Sequence, residues 1–192
     1  MLPIDQIKKI ARLTPEIEER LMEMMTFARF RKGDIIRGSV NLSASGYYIV
    51  QGSARVFVTT QGKELTISFS FDDEYVVPGR NYLKVQPDTI SVQFLEDTDV
   101  IYIPHNSIKD IMESYGVIQD VPALLFLNAA LMRYNEFLEE RIYMMQTMTA
   151  PQRYAWLTTR YPRLLHVATI TQIASYLGVT KETLYRIRNN NY

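Results

Sequence analysis

The chain has 192 residues, 21 basic against 21 acidic, with 47% hydrophobic residues, two His and no Cys. That length allows one full domain, or one with a small partner, and the apolar fraction excludes a disordered chain. Without cysteine there is no disulfide framework, thiolate nucleophile, Cys-ligated zinc or Cys-bound iron–sulfur cluster, and His105 and His166 stand too far apart in sequence to suggest a multi-histidine metal site.

The first 25 residues read as helical, with Thr14-Pro15-Glu16 as a helix start: Thr can cap free N–H groups, Pro fits the first turn and acidic residues suit its positive end. From Phe27 to Ile103 the period changes to two. Tyr47–Gln51, Ser53–Thr60, Glu64–Phe71, Thr89–Leu95 and Val100–Ile103 are short, rich in β-branched and aromatic residues, and separated by turn residues. Such spacing predicts a small antiparallel barrel or jelly roll. No apolar run approaches the ~20 residues that span a bilayer, and no signal peptide is visible, so a cytoplasmic protein with no membrane partner is expected.

After Ile103 a short helix from Asn106 or Ser107 to about Ser114 is expected, then a long one from about Gln119 to Gln146. Leu124, Leu127, Leu131, Tyr134, Leu138, Arg141 and Met145 follow alternating steps of three and four, the coiled-coil spacing. Ala123, Phe126, Ala130, Phe137 and Ile142 mark a second apolar face. One face would cover the barrel and the other meet a partner helix in a homodimer; the alternative is one broad face buried in a monomer. Thr149-Ala150-Pro151 opens another helix to about Tyr161.

The last segment carries the clearest motif. Ile170, Ile173, Ala174 and Leu177 form one helical stripe, Gly178 permits the left-handed turn that ends it, and Thr180 can cap a second helix with Leu184 and Ile187 inward. Two short amphipathic helices joined in this way predict a helix-turn-helix. The outward residues of the second helix, Lys181, Glu182 and Arg186, are candidates to read bases, since Lys and Arg pair with guanine and Glu accepts from cytosine. Thr171, Thr180, Thr183 and Arg188 suit phosphate. The zero net charge conceals an asymmetry here. Residues 149–192 hold six basic groups against Glu182 alone, a local +5, and the rest of the chain carries −5, so Arg153, Arg160 and Arg163 are expected to add salt-sensitive DNA contacts.

Together Phe30–Ile36, Tyr48–Gly52 and Gly178–Arg186 make nearly the whole chain resemble the Crp/Fnr (cyclic-AMP receptor/fumarate–nitrate regulator) family of bacterial transcription factors, with an order of parts most similar to Bacteroidetes-type members. The resemblance implies an α+β fold with three parts. A cyclic-nucleotide-binding-type antiparallel jelly roll would span residues 1–118, a dimerisation helix 119–147 carrying Leu124, Leu127, Leu131, Tyr134 and Leu138, and a helix-turn-helix 148–192. It implies double-stranded DNA, a second copy of the chain, RNA polymerase and a small-molecule effector as partners, and no enzymatic activity.

The ligand cassette departs from the family. Val77-Pro78 stands where cyclic-nucleotide binders carry Gly-Glu, and Asp88-Thr89-Ile90 where they carry Arg-Ser/Thr-Ala. An acid in place of the phosphate clamp reverses an interaction of ~4 kcal/mol for unit charges at 4 Å and ε near 20. Cyclic AMP is therefore not the expected ligand, and no cofactor is assigned. Tyr47, Tyr48, Tyr75, Arg80 and Tyr82 are candidates to line another effector's pocket, the alternative being ordinary barrel packing. No β-wing is expected after Arg188, since the sequence stops at Tyr192. The competing functional readings are a cupin-type ligand-binding or enzymatic barrel with a helical dimerisation tail, and a protein-interaction adaptor.

Overall fold

The computed structural model describes residues 3–10, 12–37, 46–76, 90–104 and 121–189. Two helices open the chain, α1 (Pro3–Ile10) and α2 (Pro15–Met24). The Thr14 hydroxyl accepts from the Ile17 N–H at 3.3 Å, so the Thr-Pro start caps α2 as its residue types require.

Among the described residues eight strands follow: β1 (Thr26–Phe30), β2 (Ile35–Arg37), β3 (Tyr47–Gln51), β4 (Ala54–Thr60), β5 (Lys63–Ser70), β6 (Tyr75–Val76), β7 (Ile90–Phe94) and β8 (Thr98–Tyr102). They pair antiparallel into two sheets, ordered β1-β8-β3-β6 and β2-β7-β4-β5. Sequence period marks the longer strands to within two residues. It does not mark β1, whose partner β8 lies about 70 residues on, nor the two- and three-residue strands β6 and β2. The expected helix at 106–114 lies outside the described residues.

Between the sheets lies an aromatic core. Phe30 stacks on Phe94 at 4.1 Å, and Tyr47 meets both Phe94 and Tyr102, with Ile49, Val56, Val92 and Val100 filling the rest. Gly52, with φ +121, lies so close to Thr98 that an added Cβ would fall 2.8 Å from its Cα, which fixes glycine at the β3–β4 corner.

Helix α3 (Val121–Thr147) crosses the outside of the barrel, followed by α4 (Ala150–Arg160), α5 (Leu164–Val167), α6 (Ile170–Leu177) and α7 (Lys181–Arg188). A second core forms beneath them. Phe69, Phe71 and Leu95 of the barrel are buried with Met144, Leu157, Tyr161, Leu164, Tyr176 and Leu184 of the helical part. Phe69 lies 5.3 Å from Tyr176, and Phe71 stacks on Tyr161 at 4.9 Å. The C-terminal helices are therefore packed onto the barrel. No helix among the described residues is long and apolar enough to cross a membrane.

Candidate nucleic-acid interface

The α6–α7 pair is built by its caps. Thr169 and Gln172 form a reciprocal capping box at the start of α6. Gly178 (φ +66) closes the helix in the left-handed conformation, its N–H reaching the Ala174 and Ser175 carbonyls. Thr180 then caps α7, its hydroxyl accepting from the Thr183 N–H at 3.2 Å. Ile173, Ala174, Leu177, Leu184 and Ile187 are buried where the two helices meet.

This inward set leaves Lys181, Glu182, Tyr185, Arg186 and Arg188 exposed on one side of α7. The structure thus brings the three candidate base readers together on one helix. Bonds from its own backbone N–H and from the Thr180 side chain hold the Glu182 carboxyl below the usual carboxylate range, so it stands as an ionised acceptor. Thr171 and Thr180 are exposed and Thr183 is half-buried, with its hydroxyl bonded to Thr180 and accepting from Arg186 at 3.4 Å.

Two other basic residues are spent elsewhere. Arg160 bonds Glu74 at 2.9 Å, and Arg163 bonds Asp72 and Glu96, both at 2.6 Å. The local +5 is partly neutralised by carboxylates of the barrel, which corrects the expectation that Arg160 and Arg163 supply phosphate contacts. Sequence charge cannot show this, because the acids lie 86, 91 and 67 positions away.

The α3 stripe is also corrected. Tyr134 stacks against Phe137, and the Arg141 guanidinium lies over the Tyr176 ring at 4.3 Å while bonding the Tyr176 carbonyl, so both turn toward the body of the protein. The side chains of Leu124 and Leu127 lie outside the described residues. Leu131, Ile142 and Met145 are 42%, 55% and 37% exposed, with Leu138 half-buried beside them. The open seam runs through Asn128, Leu131, Asn135, Leu138, Ile142 and Met145, sharing Leu131, Leu138 and Met145 with the heptad count. Heptad spacing assigns Ile142 to the other face. Both series keep the same 3.5-residue repeat through Leu131, Leu138 and Met145; they differ in the intervening positions, because Tyr134 and Arg141 are taken up by contacts with Phe137 and Tyr176.

The tyrosine pocket is not assembled as expected. In β3 and β6, Tyr47 pairs with Val76 and Tyr48 with Tyr75. Strand side chains alternate faces, so Tyr47 enters the aromatic core while Tyr48 and Tyr75 pack outside it, against α1, α2 and α3. Tyr47 and Tyr75 cannot line one cavity. Arg80 and Tyr82, like Val77, Pro78, Asp88 and His105, lie outside the described residues. A cavity of about 100 Å³ does lie between β5, β6, α3 and α4, edged by Glu74, Tyr75, Arg133, Tyr134, Arg160 and Tyr161. Among the described residues no His, Asp and Glu side chains cluster as metal ligands would.

Residues 27–115 match the cyclic nucleotide-binding domain family. The fold is similar to those of solved structures, among them two described as Crp/Fnr-family regulators. A Eubacterium rectale protein described as a Crp/Fnr-family transcriptional regulator superposes with a TM-score of 0.67 at 18% identity, covering 93% of this chain and 83% of that one. FixK2 from Bradyrhizobium japonicum gives 0.62 at 20% identity, over 86% and 83% of the two chains. A CRP/FNR-family transcriptional regulator from Thermus thermophilus gives 0.56 at 18% identity, over 86% and 84%. Among curated proteins none matches in sequence.

Proposed function

We propose that the protein is a sequence-specific DNA-binding transcriptional regulator of Crp/Fnr type, acting as a homodimer in the cytoplasm. The observation that carries this reading is the exposed trio Lys181, Glu182 and Arg186 on a capped second helix, joined through Gly178 to a first helix whose stripe is buried. Two features support it: the jelly roll that precedes the pair, and structural neighbours described as regulators of transcription. In this reading residues 1–118 form the sensor barrel, 119–147 the dimer helix and 148–192 the helix-turn-helix, hereafter the reader.

Lys181, Glu182 and Arg186 would read base edges from the major groove, and Thr171, Thr180, Thr183 and Arg188 would hold phosphates. The seam from Asn128 to Met145, with Leu131 and Leu138 at its centre, would pair with a second copy. Polar Asn128 and Asn135 at one heptad position favour a parallel, in-register arrangement, because any other register sets at least one of their amides against an apolar side chain. RNA polymerase is the expected further partner. The barrel serves as a sensor for a small molecule other than cyclic AMP, a reading that rests on Asp88 standing where the family's phosphate-binding arginine would be.

Selection of genomic fragments with the purified protein tests the function directly. Lys181→Ala and Arg186→Ala should each lose ~1–3 kcal/mol of discrimination at individual base pairs of the selected site. Sequence-independent binding by the wild type, or selected sites indifferent to both substitutions at controlled salt, would defeat the reading.

A further inference from the structure

Arg55 is the one charged side chain among the described residues to be almost wholly buried, at 3% exposure. On β4 it faces outward from the barrel core, over the Phe57 ring at 4.2 Å and opposite Phe69 and Gln93 in the ladder. Arg55 and Phe57, two residues apart on β4, share that face by strand alternation, and a bulge at Ile67 of β5 sets Thr66 opposite Phe57. The guanidinium makes three side-chain hydrogen bonds: Nε to Gln93 Oε1 at 2.7 Å, Nη1 to Thr66 Oγ1 at 3.2 Å, and Nη2 to Glu64 Oε2.

Each of those three residues in turn holds helix α6. Gln93 Oε1 also accepts from Gln172 Nε2 at 3.2 Å. The Thr66 backbone N–H donates to Ser175 Oγ at 2.9 Å, and Ser175 Oγ donates to the Glu64 carbonyl at 3.3 Å. The buried fork therefore sits one residue behind each of these three bonds between the sheet and the first helix of the C-terminal pair. A guanidinium suits this place: its rigid planar donors address three acceptors at once, which an ammonium on a flexible stem does not. Burying such a charge is costly unless its partners are fixed, so holding the cation also fixes the groups that α6 grips.

We propose that Arg55 is a positioning residue that sets where the barrel holds α6, the first helix of the α6–α7 pair, and through it the placement of α7. This rests on the reading of α6–α7 as a DNA reader; the placement of α6 itself does not.

The full-length protein carrying Arg55→Lys, Ser175→Ala or both provides the test. Hydrogen exchange is followed at the Thr66 amide and across residues 170–188, with far-UV circular dichroism monitoring the barrel. Arg55→Lys should raise exchange in α6 and at Thr66 about tenfold, as Ser175→Ala does, the scale on which losing a hydrogen bond shifts an opening equilibrium. The double variant should fall short of the sum of the single changes, because two of the three bonds that Arg55 backs are those Ser175 makes. Unchanged exchange in Arg55→Lys alongside a rise in Ser175→Ala would overturn the proposal, as would full additivity. If Arg55→Lys unfolds the barrel, Gln93→Leu, which severs the route to Gln172 alone, replaces it: faster exchange at the start of α6 supports the proposal and unchanged exchange overturns it.

Binding to a random-sequence duplex library separates the two readings. Faster exchange with weakened duplex binding supports both. Faster exchange in a protein whose wild type binds no duplex supports Arg55 as the anchor of α6 and removes the DNA function.

Discussion

The inner core of the barrel and the core beneath the C-terminal helices are both buried and aromatic, yet they are built differently. The first joins β-strands across two sheets around Tyr47, Ile49, Val56, Val92 and Phe94, with half-buried Phe30 stacked on Phe94 at its edge. The second joins Phe69, Phe71 and Leu95 of the barrel to helices α3 to α7, and a rim of arginine–carboxylate pairs and the Arg55 relay surrounds it. Apolar contact in both resists opening, but only the second has a polar margin that water, salt or a competing anion can address. The barrel is thus the more resistant part, and its junction with the C-terminal helices the more adjustable.

Trp156, the single tryptophan, packs against the second core and gives an optical probe of that junction. Phe94→Ala should have the largest effect, destabilising the barrel by ~3–5 kcal/mol, with tryptophan fluorescence and far-UV signals shifting together in urea. Leu157→Ala should cost ~2–5 kcal/mol but separate the probes, the fluorescence transition coming first. Coincident transitions in Leu157→Ala would mean that the two cores open as one.

Two smaller changes sharpen the comparison at the rim. Burial pushes the Glu74 carboxyl up from its ordinary 4.5, opposed by the Phe71 N–H and by Arg160. A carboxyl with a raised folded-state pKa binds protons more readily folded than unfolded. Its contribution to stability is present at low pH and is lost as pH rises through the folded value. Glu74→Gln should therefore flatten the fall in urea midpoint as pH rises above about 4.5. Smallest of all, Arg163→Ala removes two partly exposed ion pairs and should cost under about 1 kcal/mol at low salt, vanishing at high salt. The same variant should leave duplex affinity nearly unchanged in a gel shift, since Arg163 faces the barrel.

Much of this is legible in the sequence where the signal is local. Caps at Thr14, Thr169 and Thr180 and the turn at Gly178 are short-range hydrogen-bond geometry, and each sits at the helix end that its residue type suggests. The exposed trio on α7 follows from a 3.6-residue period over eight residues. What stays hidden depends on residues distant in the chain. Arg55 looks like an ordinary strand arginine until Gln172 and Ser175 are placed over it, and Tyr47 and Tyr75 look like companions until the strand pairing puts them on opposite faces. The α3 seam lies between these cases: its spacing is readable, but which residues the barrel claims is not.

Ser175 has one more consequence. Among the described residues strand β5 ends its sheet, so the Thr66 N–H and Glu64 carbonyl that Ser175 engages belong to an open margin of backbone, beside a 44%-exposed Leu65. Such a margin is a template on which another chain can add a strand, and here a helix lies across it. Any state in which α6 leaves the sheet uncovers that template. Opening of that contact then carries a hazard of self-association that grows with concentration, which light scattering of Leu157→Ala would register first.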